Sequence, residues 1–389
     1  MLRGLSPRRR ADSAMRIAVI AAAPIPSRRA NSLQVMKTCG SLAQLGHAVH
    51  LYVPGTASRL AAEEISAHYG LRAVFPITWL PAWGPLRNYD FSWRAVHAAR
   101  RWRADLLFVR PLQAAALAAR LGWPTLLDLH DRPHGRFGPR LFRWFVTGRG
   151  ARRLLTTTRA LRNWLEQGLG MQLPDAFVRV APNGVDLEPY AGLPGPPEAR
   201  RLFGLPERFT ASYTGQLYAG RGLDLLLELA RRHPDLGFAW AGGDPEAVDR
   251  WRSRLAAAGV ENTVLLGFVP NERLPLLHAA SDILLMPYEE RVFLSGGNLS
   301  TFYSPMKLFE YLATERAILS SDLPVLHEIL NEDNAVLLPP EDIEAWDGAL
   351  VRLVHDDEGR LRLGRQARRD ASRYTWEARA RTALDGLEL

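Results

Sequence analysis

Short apolar runs alternate with amphipathic stretches along most of the chain. Residues 16–21 form an apolar run that predicts a strand, and a polar turn through residues 24–32 follows it. Val35, Met36, Cys39, Leu42 and Leu45 then recur at helical spacing, and a second strand is predicted at 48–53. This strand–turn–helix–strand unit implies a parallel sheet with a ligand-facing loop after its first strand. Further strands are predicted at 72–78, 105–109, 125–129, 153–157 and 177–181, with helical stretches at 93–103, 112–121 and 159–167 between them.

The last of these strands ends in the turn Pro182-Asn183-Gly184-Val185-Asp186, and the Pro/Gly-rich residues 188–197 read as a linker. A second alternating series starts at Thr210 and continues through strands near 237–241, 263–266, 282–286, 317–320 and 335–338. The pattern therefore predicts an α/β chain of two consecutive Rossmann-like parallel-sheet domains. The expected boundaries are a disordered basic extension at 1–14, a first domain at 15–190, a second at 191–372 and a C-terminal helix at 373–389. Arg8-Arg9-Arg10 followed by residues 17–23 imitates a signal peptide. Arg16 interrupts that apolar run and Pro24 ends it early, so the run reads as a buried strand.

Composition changes the picture in two places. A single cysteine, Cys39, leaves no internal disulfide or cysteine-based zinc site, which fits a reducing cytoplasm. The net charge is +8, but the positive residues are spread through both halves, so nucleic-acid binding is not indicated. One stretch is denser: within residues 136–164, eight arginines from Arg136 to Arg162 interleave with Leu141, Phe142, Trp144, Phe145 and Trp164. It is expected to form a basic amphipathic surface suited to peripheral contact with anionic membrane lipids.

Candidate chemistry gathers around Ser304-Pro305-Met306-Lys307-Leu308-Phe309-Glu310. Ser304 is expected to N-cap a helix that Pro305 begins, placing Lys307 in the first turn and Glu310 one turn on. Of 49 Lys+Arg residues only Lys37 and Lys307 are lysine, so a compact ammonium has been retained at this helix start. A second anion-binding turn is expected where the strand from Thr210 runs into Gly215-Gln216 and on through Gly220-Arg221-Gly222. His130 closes the run Thr125-Leu126-Leu127-Asp128-Leu129, at the carboxyl end of a strand, where open α/β sheets keep their sites. The first loop lacks G-x-G-x-x-G, which argues against a dinucleotide cofactor. No Asp-x-Asp or other metal cluster is evident, so neither metal nor cofactor is expected.

Taken in order, Asn183-Gly184-Val185-Asp186, Gly215–Gly222, Ala241-Gly242-Gly243-Asp244, Leu266-Gly267-Phe268-Val269-Pro270, Ala280–Pro287 and Ser304–Asp322 resemble a GT-B glycosyltransferase of the retaining family 4. That resemblance implies a cytoplasmic enzyme that moves a sugar from a UDP- or GDP-linked donor to a glycan, lipid-linked or small-molecule acceptor, as in polysaccharide biosynthesis. The second domain is then expected to hold the donor and the first the acceptor, across a cleft. It assigns Arg221 to the diphosphate, where the reading of the helix start adds Lys307, with Gly215, Gln216, Ser304, Pro305 and Met306 around it. Glu310 is assigned to the ribose, Gly267 and Phe268 to the base, and His130 to the donor sugar. Ser27, Arg28, Asn31 and Ser32 are expected to help form the acceptor pocket.

Two positions depart from the family pattern. Gln216 stands where an arginine is common, and Phe302 stands where a sugar-contacting glutamate is usual. The long segment 288–303 offers Ser295-Gly296-Gly297-Asn298 as a replacement for those contacts. The departures also keep open a non-catalytic glycan- or partner-binding protein, and the architecture keeps open a sugar-nucleotide epimerase.

Overall fold

The computed structural model describes residues 14–86, 88–290, 293–294, 297–298 and 301–389. The described chain divides into two compact units, one running to Pro182 and joined by Trp376–Leu389, the other spanning Asn183–Thr375. The sequence reading sets this division at 190/191 and 372/373, a few residues later and earlier. The expected extension at 1–14 falls, up to residue 13, outside the described residues.

The first unit is a seven-stranded sheet in the order β3-β2-β1-β4-β5-β6-β7. Its strands are β1 Arg16–Ile20, β2 Ala48–Pro54, β3 Ile77–Leu80, β4 Leu106–Val109, β5 Thr125–Leu129, β6 Ala151–Thr156 and β7 Val178–Val180. All pairings are parallel, and Ile17 sits between Val49 and Leu106. Strands β1, β4 and β5 are buried on both faces, which is why they read as continuous apolar runs. The third strand begins later than the predicted 72–78. Pro76 has no amide to give a ladder, and regular pairing starts at Ile77.

The second unit repeats the plan with the order β10-β9-β8-β11-β14-β15. Here β8 is Thr210–Thr214, β9 Gly237–Ala241, β10 Thr263–Gly267, β11 Ile283–Met286, β14 Ala317–Ser321 and β15 Val336–Leu338, while β12 Phe293–Leu294 and β13 Gly297–Asn298 make a small hairpin. Its core closes around Trp240, Trp251 and Trp346. In both sheets the strand order reverses beside the first strand, between β1 and β4 and between β8 and β11. A crevice at the carboxyl ends of such strands is where doubly wound sheets bind ligands.

The C-terminal helix Trp376–Leu384 belongs to the first unit. Ala380, Ala383 and Leu384 join that core, and Arg153 donates from β6 to the carbonyls of Ala383 and Asp385 at 3.0 and 2.6 Å. The arginine-rich residues 136–164 do not make one surface. They divide into the helix Gly138–Val146, strand β6 and the helix Arg159–Leu169, and Arg153 on β6 is buried against the C-terminal segment rather than turned to solvent. Arg162 is paired with Glu166 and Asp175. Among the described residues no helix is long and apolar enough to cross a membrane.

Candidate active site

In the first unit the loops after β1, β4 and β5 meet. Arg110 follows β4 and donates to the Asn31 carbonyl at 3.3 Å and to Gln34 at 3.2 Å, bridging to the helix Ala30–Gln44 that follows the loop after β1. Asp128 and His130 lie two residues apart in extended chain and so share a face. The ring Nε2 of His130 is 3.0 Å from the Asp128 carboxylate, whose other oxygen accepts from Arg379 at 2.6 Å. Asp128 and Arg379 are both buried. Burial, and then the neighbouring Arg110 charge, push the His130 imidazole down to about 4, against the pull of Asp128. The ring is therefore neutral at pH 7, with Nε2–H donating to Asp128. That tautomer leaves Nδ1 as an acceptor for a hydroxyl.

The four residues expected at the acceptor are placed differently from one another. Asn31 lines a cavity beside His130. Ser32 is fully buried and donates to the Pro24 carbonyl at 2.7 Å, and its hydroxyl also meets that of Ser27 at 2.8 Å. The Ser27 amide is taken up by Tyr69 at 2.6 Å. These two serines fix the loop that leads into the helix Ala30–Gln44, whose first turn carries Asn31. Arg28 is an exposed residue of the same loop and does not line the cavity.

In the second unit Ser304 does not cap the helix. The helix is Met306–Leu312, Pro305 is extended at ψ 131°, and no side chain caps it. Ser304 instead faces Asn183, which donates to its carbonyl at 2.6 Å and, from the backbone, to its hydroxyl at 3.4 Å. The expected cap loses to this tie from the Asn183-Gly184 turn.

The two expected cations do come together. Lys307 Nζ lies 3.8 Å from the centre of the Tyr213 ring and 5.2 Å from that of Tyr288. Arg221 lies 5.0 Å from the same Tyr288 ring, 4.8 Å from Tyr218 and 5.4 Å from Tyr303. A further hydrogen bond runs from Arg221 to the Tyr218 hydroxyl. The Lys307 ammonium is shielded from solvent and has no hydrogen-bond partner among the described residues. Burial and the Arg221 charge hold it well below the usual lysine range, with Glu310 opposing them. A desolvated cation with no partner is costly to keep unless an anion visits it.

Glycine makes the close approach possible. Gly215 has φ +152°, and a Cβ there would sit 2.8 Å from Lys307 Nζ. At Gly222, φ +66°, a Cβ would meet the Pro287 carbonyl oxygen at 1.7 Å, so the loops after β8 and β11 touch. Gly267 closes β10 and accepts from the Gly242 amide at 2.6 Å, and the neighbouring Phe268 is exposed. Gln216 is exposed, and its carbonyl accepts from Tyr213 at 2.8 Å. Phe302 is buried. Of Ser295-Gly296-Gly297-Asn298, expected to replace donor contacts, Ser295 and Gly296 lie outside the described residues and Gly297–Asn298 is strand β13.

Sequence reading missed the tyrosines around the cations, because Tyr213, Tyr288 and Tyr303 look like core residues in strand-adjacent positions. It also missed Arg110, Arg379 and Tyr311. The Tyr311 hydroxyl accepts the Thr214 amide at 2.9 Å and so ties the helix carrying Lys307 and Glu310 to the end of β8. Among the described residues no three His, Cys, Asp or Glu side chains gather as a metal site would need.

Residues 33–189 match the family profile described as Glycosyltransferase Family 4, and residues 208–356 match that of Glycosyl transferases group 1. The chain belongs to glycosyltransferase family 4. This family 4 chain is 35% identical over 127 residues to the GDP-mannose-dependent alpha-(1-6)-phosphatidylinositol monomannoside mannosyltransferase of Mycolicibacterium smegmatis, covering 30% of this chain and 32% of that one. It is 29% identical over 221 residues to the 2-deoxystreptamine glucosyltransferase of Streptomyces kanamyceticus, covering 49% and 56%. The matches thus span from a third to just over half the length of these relatives. Among solved structures, the Anabaena protein HepE in complex with UDP superposes with a TM-score of 0.72 at 15% identity, covering 94% of this chain and 98% of that one. That likeness is one of fold, and the two Rossmann-like units are those of a GT-B protein.

Proposed function

We propose that this chain transfers a sugar from a nucleoside diphosphate sugar to a hydroxyl acceptor, with retention at the anomeric carbon and without a metal ion. The second unit takes the donor and the first the acceptor. The observation that carries this reading is the pair of desolvated cations, Arg221 and Lys307, held by tyrosine rings beside the Gly215 backbone. As the glycosidic bond to phosphate breaks, negative charge grows on the departing diphosphate, and preorganised cations stabilise it without reorganising. Glu310, on the same helix as Lys307, is assigned to the ribose hydroxyls, and Gly267 with Phe268 to the base.

Retention follows if the acceptor oxygen bonds to the anomeric carbon on the face the phosphate leaves, while the acceptor proton passes to a phosphate oxygen. No protein nucleophile is then required. His130, neutral and oriented by Asp128, accepts a hydrogen bond from a sugar hydroxyl through Nδ1. The mycobacterial relative is described as GDP-mannose-dependent and HepE is solved with UDP. Those names support a nucleotide-sugar donor and leave guanine and uracil both open. We also assign the protein to the cytoplasm, with no dissociable cofactor.

The test is calorimetric titration of UDP, GDP and their sugar conjugates in EDTA, with Arg221→Ala and Glu310→Ala alongside. Binding of one nucleotide class without metal, weakened at least tenfold in both variants, supports the donor site. Absence of nucleotide binding, or variants that bind like the parent, removes the transferase reading. A non-catalytic binding protein is the second reading, favoured by the buried Phe302 at the usual glutamate position. Donor turnover separates the two.

A further inference from the structure

Beside His130 the first unit holds a cavity of about 1000 Å³ whose lining is divided by chemistry. Arg110, Arg132, Arg136 and Arg140 give it four guanidiniums. The two carboxylates that line it are already engaged. Asp128 holds Arg379 and His130, and Asp131 accepts from His134 at 2.6 Å and from the Arg132 amide at 2.7 Å. Arg136 and Arg140 are exposed and have no carboxylate partner among the described residues. The uncompensated charge at this cavity is therefore positive, and it sits where an anion could neutralise it.

The helix that carries Arg140 also gives the cavity an apolar lining. The helix Gly138–Val146 turns Phe142 and Phe145 into the core, as one stripe of a surface helix should. Phe137, Leu141 and Trp144, spaced four and three residues apart, form a second stripe that lines the cavity. Phe137 is 56% and Trp144 55% exposed, so these two rings are largely uncovered among the described residues. A site for a neutral glycan would present carboxylates and amides to hydroxyl groups. Among the described residues the lining amide side chains are those of Asn31 and Gln113.

We propose that the acceptor taken by this cavity is a phosphate-bearing lipid. Its phosphate lies against Arg136 and Arg140, and its hydrocarbon chain runs along Phe137, Leu141 and Trp144. The hydroxyl that receives the sugar then reaches towards His130. The inference rests on the transferase reading only in naming the ligand an acceptor. The binding claim rests on the cavity.

The full-length protein is titrated with dodecyl phosphate below its micelle concentration, with dodecyl maltoside as the uncharged chain and glycerol 3-phosphate as the phosphate without a chain. Dodecyl phosphate is expected to bind at least tenfold more tightly than either. Arg136→Gln/Arg140→Gln and Leu141→Gln should each weaken it at least tenfold, and Arg140→Gln alone several-fold, with unchanged melting midpoints. Equal binding of dodecyl maltoside would reduce the site to an apolar surface, and equal binding of glycerol 3-phosphate to an anion site. Either result overturns the proposal, as do variants that bind like the parent. A UDP and GDP titration on the same samples separates the two readings. Nucleotide binding without dodecyl phosphate binding sinks this inference alone. Dodecyl phosphate binding without nucleotide binding keeps the lipid-phosphate site and removes its role as acceptor site.

Discussion

Replacing Tyr311 by phenylalanine removes one oxygen and leaves the ring, so its effect isolates the tie between the helix Met306–Leu312 and strand β8. The hydroxyl is buried, accepts the Thr214 amide at 2.9 Å and its side-chain hydroxyl at 3.2 Å, and faces the Leu285 carbonyl at 3.4 Å. Without it the Thr214 N–H has no partner in a place water does not reach. Stranding a buried donor costs about 1–3 kcal/mol. For a unit of this size each kcal/mol moves the melting midpoint by about 2–4 °C, so a fall of about 2–12 °C is expected by scanning calorimetry. Thr214 precedes Gly215, and Tyr311 lies four residues after Lys307, so the same loss should loosen Lys307 against the glycine loop. Nucleotide affinity, measured by titration well below the midpoint, should fall with it. Thr214→Val, which keeps the amide and the tyrosine hydroxyl, should fall less on both measures. An unchanged midpoint together with parent-like nucleotide binding in Tyr311→Phe would refute the tie.

His278 is fully buried, with its ring near Tyr190 and Thr214 at 3.5 and 3.3 Å, and burial, followed by the Lys307 charge, pushes it down to about 3. An unfolded histidine titrates near 6.5, so below that pH the unfolded chain binds a proton that the folded chain refuses. Stability therefore falls as pH falls from 6.5 towards 3, by up to about 1.4 kcal/mol per unit. His130 adds the same sign down to about 4. Urea midpoints at pH 7, 5 and 4 should show a shallower slope in His278→Gln, and an identical slope would refute the assignment. Lys307→Arg keeps the charge but brings a planar fork to a place where Nζ already lies 3.8 Å from the Tyr213 ring centre and beside Gly215. Nucleotide affinity should fall at least several-fold in titration, and parent-like affinity would show that charge alone matters there.

Most strands were legible because a strand buried on both faces has to be a continuous apolar run, and no helix amphipathy imitates five such residues. Strand β3 was misplaced because Arg72–Phe75 looks strand-like until the missing Pro76 amide is considered. Ser304 was misread for a related reason: a serine before a proline offers a cap locally, but Asn183 lies 121 positions away and claims its carbonyl and hydroxyl. The pairing of Asp128 with His130 could have been read from their spacing in extended chain. Its third member, Arg379, could not, since 251 positions separate it from Asp128. Arg221 and Lys307 stood out as cations near glycine and helix starts. Their tyrosine surroundings did not, because an aromatic residue at a strand end serves a core equally well.

The two candidate sites hold buried charge in different ways, and the difference bears on what each is proposed to do. In the first, Asp128 is fixed by a 2.6 Å ion pair with Arg379, and breaking such a buried pair costs on the order of 3–5 kcal/mol. That carboxylate is locked in place and can only orient His130. In the second, Arg221 and Lys307 lie against aromatic faces, contacts that contribute roughly 0.5–2 kcal/mol each. A π face holds a cation in position without neutralising it. An arriving diphosphate then meets cations it does not have to win from a carboxylate, and a departing one leaves them where they were. Ion-paired cations would stabilise the empty site more and the leaving group less. Glu310 is the exception that fits: its charge favours the Lys307 ammonium, against the burial and the Arg221 charge that hold the lysine well below its usual range.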